Sequence, residues 1–237
     1  MSDRITIGGS DGSFGAYVAK PKDLPAPAVV VLHEVFGVNA DIRRHCDELA
    51  GQGFLAVAPD LFWRLEPGVD LSVTSQTDWD HGVRLYQAFD RDAGARDVKD
   101  AVDAVAKMPD CTGKVATLGY CLGGLMVFLE AARDGGIDAA VAFHGGETEK
   151  YLGEANGLKA PLLMHLAEED EFMPKEAQAA IKAALGGKAS VTIYSYPGQY
   201  HAFSRNNGAH YNAEAAALAN QRTSEFLHRQ LSPVPVE

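Results

Sequence analysis

Six short apolar runs rich in valine, leucine and alanine punctuate the chain, at residues 28–32, 54–58, 115–118, 139–143, 162–166 and 191–194. Continuous apolar runs of this length read as strands buried on both faces of a parallel sheet. Helical patterns lie between them: 41–53, which starts on Asp41 and stops at glycine; 81–108, with Gly94 as a break; then 124–133, 174–185 and 213–230. Strand and helix alternate, so the expected architecture is α/β, a mostly parallel sheet with helices on both faces. Segments 4–7 and 14–19, separated by GGSDGS, read instead as a hairpin that adds antiparallel strands at one edge. A chain of 237 residues suits one domain, and only 232–237 read as a loose tail.

Charge narrows the partners. With 21 basic against 32 acidic residues the formal net charge is −11, and no Lys/Arg cluster interrupts it, which argues against nucleic acid or an anionic membrane surface. The expected partner is a small molecule, and the expected assembly a monomer or small homo-oligomer. No apolar run approaches the ~20 residues of a membrane span, and MSDRITIGGSDG carries no basic segment followed by an apolar one, so a cytoplasmic location is expected. The three cysteines, Cys46, Cys111 and Cys121, form no CxxC pair and are odd in number. They suit neither a disulfide framework nor a structural zinc site, and no metal is expected.

In such sheets ligands bind beyond the carboxyl ends of the strands. There the chain places GYCLGG, residues 119–124, between the apolar run KVATL and the helical LMVFLEAA. The spacing Gly119-x-Cys121-x-Gly123 is that of a sharp strand-to-helix turn that lifts a nucleophile clear of the sheet. The helix N-terminus behind Cys121 supplies free N–H groups and partial positive charge, favouring thiolate and able to hold an oxyanion. A small buried cysteine packing beside a tight turn also fits the hexapeptide. Asp170 follows the run ending at 166 and His201 follows the run ending at 194, so nucleophile, acid and histidine come in the order a hydrolytic triad needs. Glu168, Glu169 and Glu171 compete for the acid's role; Asp170 is favoured because Pro174 marks a helix start shortly after it. His33, His144 and His165 also end strands and stay open as site residues.

Six segments carry a family resemblance: LHEVFGVN at 32–39, APDLF at 58–62, LYQAFD at 85–90, LGYCLGG at 118–124, EDEFMP at 169–174 and HAFSR at 201–205. In these the chain resembles the dienelactone hydrolases (carboxymethylenebutenolidases), a cysteine-using branch of the α/β-hydrolase fold. The resemblance implies a Cys121–His201–Asp170 triad, an oxyanion hole from the backbone N–H groups of Leu122 and Val35, and no cofactor. It implies that Glu34 helps to activate Cys121 when substrate binds and that Arg205 grips the substrate's carboxylate; the alternatives are a buried structural acid paired with an arginine for Glu34 and a surface arginine for Arg205. The reaction implied is opening of dienelactone to maleylacetate through a thioester. One position departs from the pattern. Where the family has a second arginine, this chain has Trp79, while Arg84 stands in a different helical register. Trp79 and Phe36 then join Arg205 as substrate-binding candidates. Together with Phe62, Trp63 and Phe172 they favour an alternative, a carboxylesterase or thioesterase for larger apolar esters. A non-catalytic binding protein on the same scaffold would be expected to lack a triad member, and none is missing.

Overall fold

The computed structural model describes residues 2–133 and 136–232, Ser2 by its backbone alone; the expected tail lies outside the described residues from Pro233 onward. The elements run β1 (Ser2–Gly9), β2 (Gly12–Ala19), β3 (Ala26–Leu32), α1 (Ala40–Gly51), β4 (Leu55–Pro59), α2 (Gln76–Ala88), α3 (Arg91–Ala106), β5 (Cys111–Tyr120) and α4 (Leu122–Arg133). They continue with β6 (Ala139–Phe143), a 3-10 helix (Thr148–Gly157), β7 (Leu162–Ala167), α5 (Lys175–Leu185), β8 (Val191–Tyr196) and α6 (Ala213–Leu231). One eight-stranded sheet has the order β1-β2-β4-β3-β5-β6-β7-β8. β2 runs antiparallel to β1 and to β4, and every other pairing is parallel. Each apolar run thus becomes a strand, and the hairpin takes the edge assigned to it.

Two apolar layers sandwich the sheet. α1 and α6 cover one face with Ile42, Cys46, Leu49, Phe226 and Leu227; α3, α4 and α5 cover the other with Val98, Val102, Leu125, Phe128 and Ile181. Each large aliphatic side chain so buried contributes roughly 1.5–3 kcal/mol. β3, β4, β6 and β7 have both faces in these layers, which explains their unbroken apolar sequences. Among the described residues, no helix is long and apolar enough to cross a membrane.

Several helical boundaries differ from expectation, and α2 starts at Gln76 rather than at the expected 81. The 81–108 stretch is two helices, and it breaks at Phe89 and Asp90 rather than at Gly94. Asp90 accepts from the N–H groups of Asp92 (2.9 Å) and Ala93 (3.0 Å) and so caps a new helix. Gly94 stays helical and leaves room for the Phe89 ring, which a Cβ there would meet at 2.2 Å. α1 is capped by Asn39, whose Oδ1 accepts from Ile42 N–H (3.1 Å), and Asp41 sits in its first turn. α4 begins at Leu122, two residues before the expected 124, directly behind Cys121.

His45 ties α1 to the sheet. Its buried ring lies 3.5 Å from Asp41 and 3.6 Å from Glu48 and stacks on Tyr120 at 4.6 Å. Burial opposes its charge, but hydrogen bonding to the two carboxylates raises its pKa from 6.5 to about 9. A raised pKa stabilises the fold fully below pH 6.5, and that contribution is lost as pH rises through about 9. Thermal melts across this window should show Tm falling more gently in His45→Gln than in the unmodified protein; parallel curves would refute the assignment.

Candidate active site

At the end of β5 the chain turns into α4 within one residue, Cys121, at φ +54°. The turn requires close backbone approach on both sides. A Cβ on Gly119 would meet Gly123 O at 2.2 Å, and one on Gly123 would meet Leu32 O at 2.1 Å. Cys121 N–H donates to Phe143 O (3.0 Å) and Gly123 N–H to His33 O (3.1 Å), so β6 and the end of β3 clamp the turn. Neither Leu122 nor Val35 N–H is used by any hydrogen bond among the described residues. They remain available as donors near Cys121, which is half-buried.

Asp170 follows β7 and His201 follows β8, and both side chains are buried. Each carboxylate oxygen of Asp170 lies 2.9 Å from His201 Nδ1, and Oδ1 also accepts from Phe172 N–H (2.9 Å) and Met173 N–H (3.1 Å). Burial would raise the Asp170 pKa, but His201, His144 and the Phe172 N–H lower it. The competing acids go elsewhere: Glu169 reaches Lys175, and Glu171 accepts from the backbone N–H of His201 (3.3 Å). His201 Nε2 is buried without a geometrically complete hydrogen bond. Burial disfavours the imidazolium, yet the charge of Cys121 and hydrogen bonds to Asp170 and to the Cys121 sulfur raise its pKa to about 10.

Glu34 and Arg205 meet one another. Arg205 Nε donates to Glu34 Oε2 (2.7 Å) and its terminal nitrogen to Oε1 (2.9 Å), a fork-to-fork pair with Glu34 buried and Arg205 half-buried. Burial would raise the Glu34 pKa; Arg205 and His144 outweigh it and hold the carboxyl well below the usual range. Neither residue is engaged as its expected role requires, since the single guanidinium fork is filled by the protein's own carboxylate. A cavity of about 280 Å³ opens beside them, lined by Phe36, Trp79, Phe172, His201 and Arg205 among others. Trp79 lies 5.8 Å from Phe36 and 6.1 Å from Phe172, while Arg84 is exposed on the outer side of α2.

The strand-end histidines separate by environment. His33 Nε2 accepts from Leu61 N–H (2.9 Å), which leaves Nδ1–H to donate to Glu34 O (2.7 Å). It is a strut that fixes the backbone carrying Glu34. His165 spends both nitrogens on Tyr196 and Thr223, away from the site. His144 sits beside Glu34 and His201. Two further contributions have no role assigned from the sequence, although Tyr86 lies within LYQAFD. Gly82 lets α2 pack on the Val35 backbone, where a Cβ would meet Val35 O at 2.4 Å. Tyr86 donates to Glu147 (2.8 Å), which Arg91 also holds (2.9 Å), so residues from α2, α3 and the loop after β6 meet at the site's edge. Among the described residues, no group of three or more His, Cys, Asp and Glu could hold a metal ion.

A mostly parallel sheet with its candidate residues on the loops after β3, β5, β7 and β8, and a strand-turn-helix at Cys121, is the α/β-hydrolase arrangement. The dienelactone hydrolase family model matches residues 14–231. A carboxymethylenebutenolidase of Pseudomonas putida is 38% identical over 96% of this chain and 96% of its own length. A provisionally named carboxymethylenebutenolidase of Azospirillum brasilense is 43% identical over 98% of this chain and all of its own. A crystal structure from Klebsiella pneumoniae, provisionally named a dienelactone hydrolase, superposes with a TM-score of 0.84 at 27% identity, covering 99% of both chains. The chain belongs to the dienelactone hydrolase family, and it is a hydrolase of ester or lactone bonds.

Because the charge of Cys121 is the largest influence raising the His201 pKa, Cys121→Ala should bring it down from about 10. Imidazole NMR titration reads this directly; an unmoved midpoint would show that Cys121 and His201 are not electrostatically paired.

Proposed function

We propose that the protein hydrolyses its ester or lactone by acyl transfer to Cys121. The observation that carries this is the pairing of a turn at φ +54° with a buried Asp170–His201 dyad whose Nε2 has no other hydrogen-bond partner among the described residues and whose pKa Cys121 raises. Cys121 sulfur attacks the carbonyl carbon; a C–S bond forms and the π pair moves to oxygen, held by Leu122 and Val35 N–H. His201 enters the step as imidazolium, the form its raised pKa favours; collapse breaks the C–O bond, and the leaving oxygen takes that proton. Water then attacks the thioester, giving one proton to His201; the C–S bond breaks with its electron pair left on sulfur, the product leaves as a carboxylate, and the proton held by Glu34 returns to the Cys121 sulfur. Asp170 keeps His201 in the required tautomer throughout.

Glu34 and Arg205 link this chemistry to the substrate. Arg205 holds one carboxylate at a time in its fork, so a carboxylate-bearing lactone such as dienelactone competes with Glu34 for it. Released, Glu34 loses the cation that suppresses its basicity and becomes able to accept the Cys121 proton. The product from dienelactone is maleylacetate. A second reading rests on Phe36, Trp79 and Phe172 lining the cavity: larger apolar esters or thioesters would use that surface.

Cys121→Ala should lower kcat by roughly a thousandfold or more while Tm holds. Retained activity would overturn the nucleophile. Steady-state comparison of dienelactone with p-nitrophenyl esters separates the substrates: a kcat/KM higher by orders of magnitude for the aryl ester sinks the dienelactone reading.

A further inference from the structure

His144 is a buried imidazole with no hydrogen bond. Its side chain is 1% exposed, and neither Nδ1 nor Nε2 has a partner among the described residues. A neutral imidazole still carries one N–H, and leaving such a group unpaired in the interior costs about 1–3 kcal/mol. Its backbone is strained as well, at φ +37°, and is pinned by His144 N–H to His165 O and Gly146 N–H to His144 O, both 2.9 Å. A phenylalanine would fill the same volume without the orphaned nitrogens, so packing alone does not account for the residue.

The ring lies between the two halves of the site. On one side Nε2 is 3.8 Å from Glu34 Oε1; on the other the ring meets His201 edge-on at 4.6 Å. Tyr120, Phe143 and Phe203 close the remaining sides. A separation of 3.8 Å is too long for a hydrogen bond, and a shift of about 1 Å by the Glu34 carboxylate, out of the Arg205 fork, would make it one.

We propose that His144 is a positioning residue for Glu34: its Nε2–H receives the Glu34 carboxylate when that group leaves Arg205, and holds it oriented to take the proton of Cys121. In that step the S–H bond breaks with its electron pair left on sulfur, and an O–H bond forms on Glu34. A neutral donor suits the task, because it fixes the carboxylate in place without suppressing its basicity as a guanidinium does. Burial supplies the neutrality: with Asp170 and His201 as its other charged neighbours, the His144 pKa is lowered to about 4. The proposal rests on the reading of Glu34 as proton acceptor.

The test is a double-mutant cycle on the full chain with dienelactone, whose carboxylate is the group that displaces Glu34 from Arg205. His144→Phe, or His144→Leu should the first not fold, is expected to lower kcat about tenfold with KM moved less than about twofold. His144→Gln, which keeps an N–H donor, should recover kcat to within about threefold of the unmodified protein. In a Glu34→Gln background, removal of the imidazole should cost nothing further, whereas a general structural loss would multiply with it. Multiplying losses, or a His144→Phe kcat within about twofold of the unmodified value, would overturn the proposal. If Glu34→Gln itself leaves kcat unchanged, the reading of Glu34 falls and this proposal with it; an impaired Glu34→Gln beside a silent His144→Phe overturns the proposal alone.

Discussion

The turn at Cys121 is the constraint from which the site follows. β5 must reverse into α4 within one residue, and both flanking positions must be bare because backbone oxygens stand about 2 Å from where a Cβ would go. Once that packing is met, Cys121 is held at positive φ at the mouth of a helix. The same contacts fix the neighbours: Gly123 N–H fastens the turn to His33, and His33 in turn fastens Glu34. Position at one residue therefore propagates through backbone hydrogen bonds to the acid on the adjacent strand end.

Around this turn the buried charges are arranged as two closed pairs. Asp170 with His201, and Glu34 with Arg205, each satisfy a charge that would be costly alone in the interior. The two pairs differ in use. Asp170 is fastened by backbone donors from Phe172 and Met173, whereas Glu34 is held by a side chain, the one that the proposed mechanism has a substrate anion claim. His144 stands at the boundary between the fixed pair and the exchangeable one.

Much of this was legible in the sequence. Parallel strands declare themselves because β3, β6 and β7 must be apolar on both faces, and the order of Cys121, Asp170 and His201 follows from the order of strands. Helix limits were less so. The split at Asp90 depends on a side chain choosing backbone donors over the continuing helix, a local competition that the helical pattern around Gly94 does not reveal. Nor did any spacing announce the Glu34–Arg205 pair, whose members are far apart in the chain and meet only because β3 and the segment after β8 end on the same side of the sheet. Gly82, and the role of His144 beyond its place at a strand end, were opaque for a related reason: their significance lies in a missing Cβ and in missing partners.

The position of β8 carries a consequence of its own. It is the last strand of the sheet, hydrogen-bonded on one side only, and it bears the loop that presents His201. The proposed nucleophile rides on β5, deep in the sheet between β3 and β6. The two halves of the proposed proton-transfer couple thus sit on parts of the molecule with unequal resistance to opening, and edge strands detach before central ones. Heating should silence the enzyme while most of its sheet is still intact, and cooling should restore it without refolding the core.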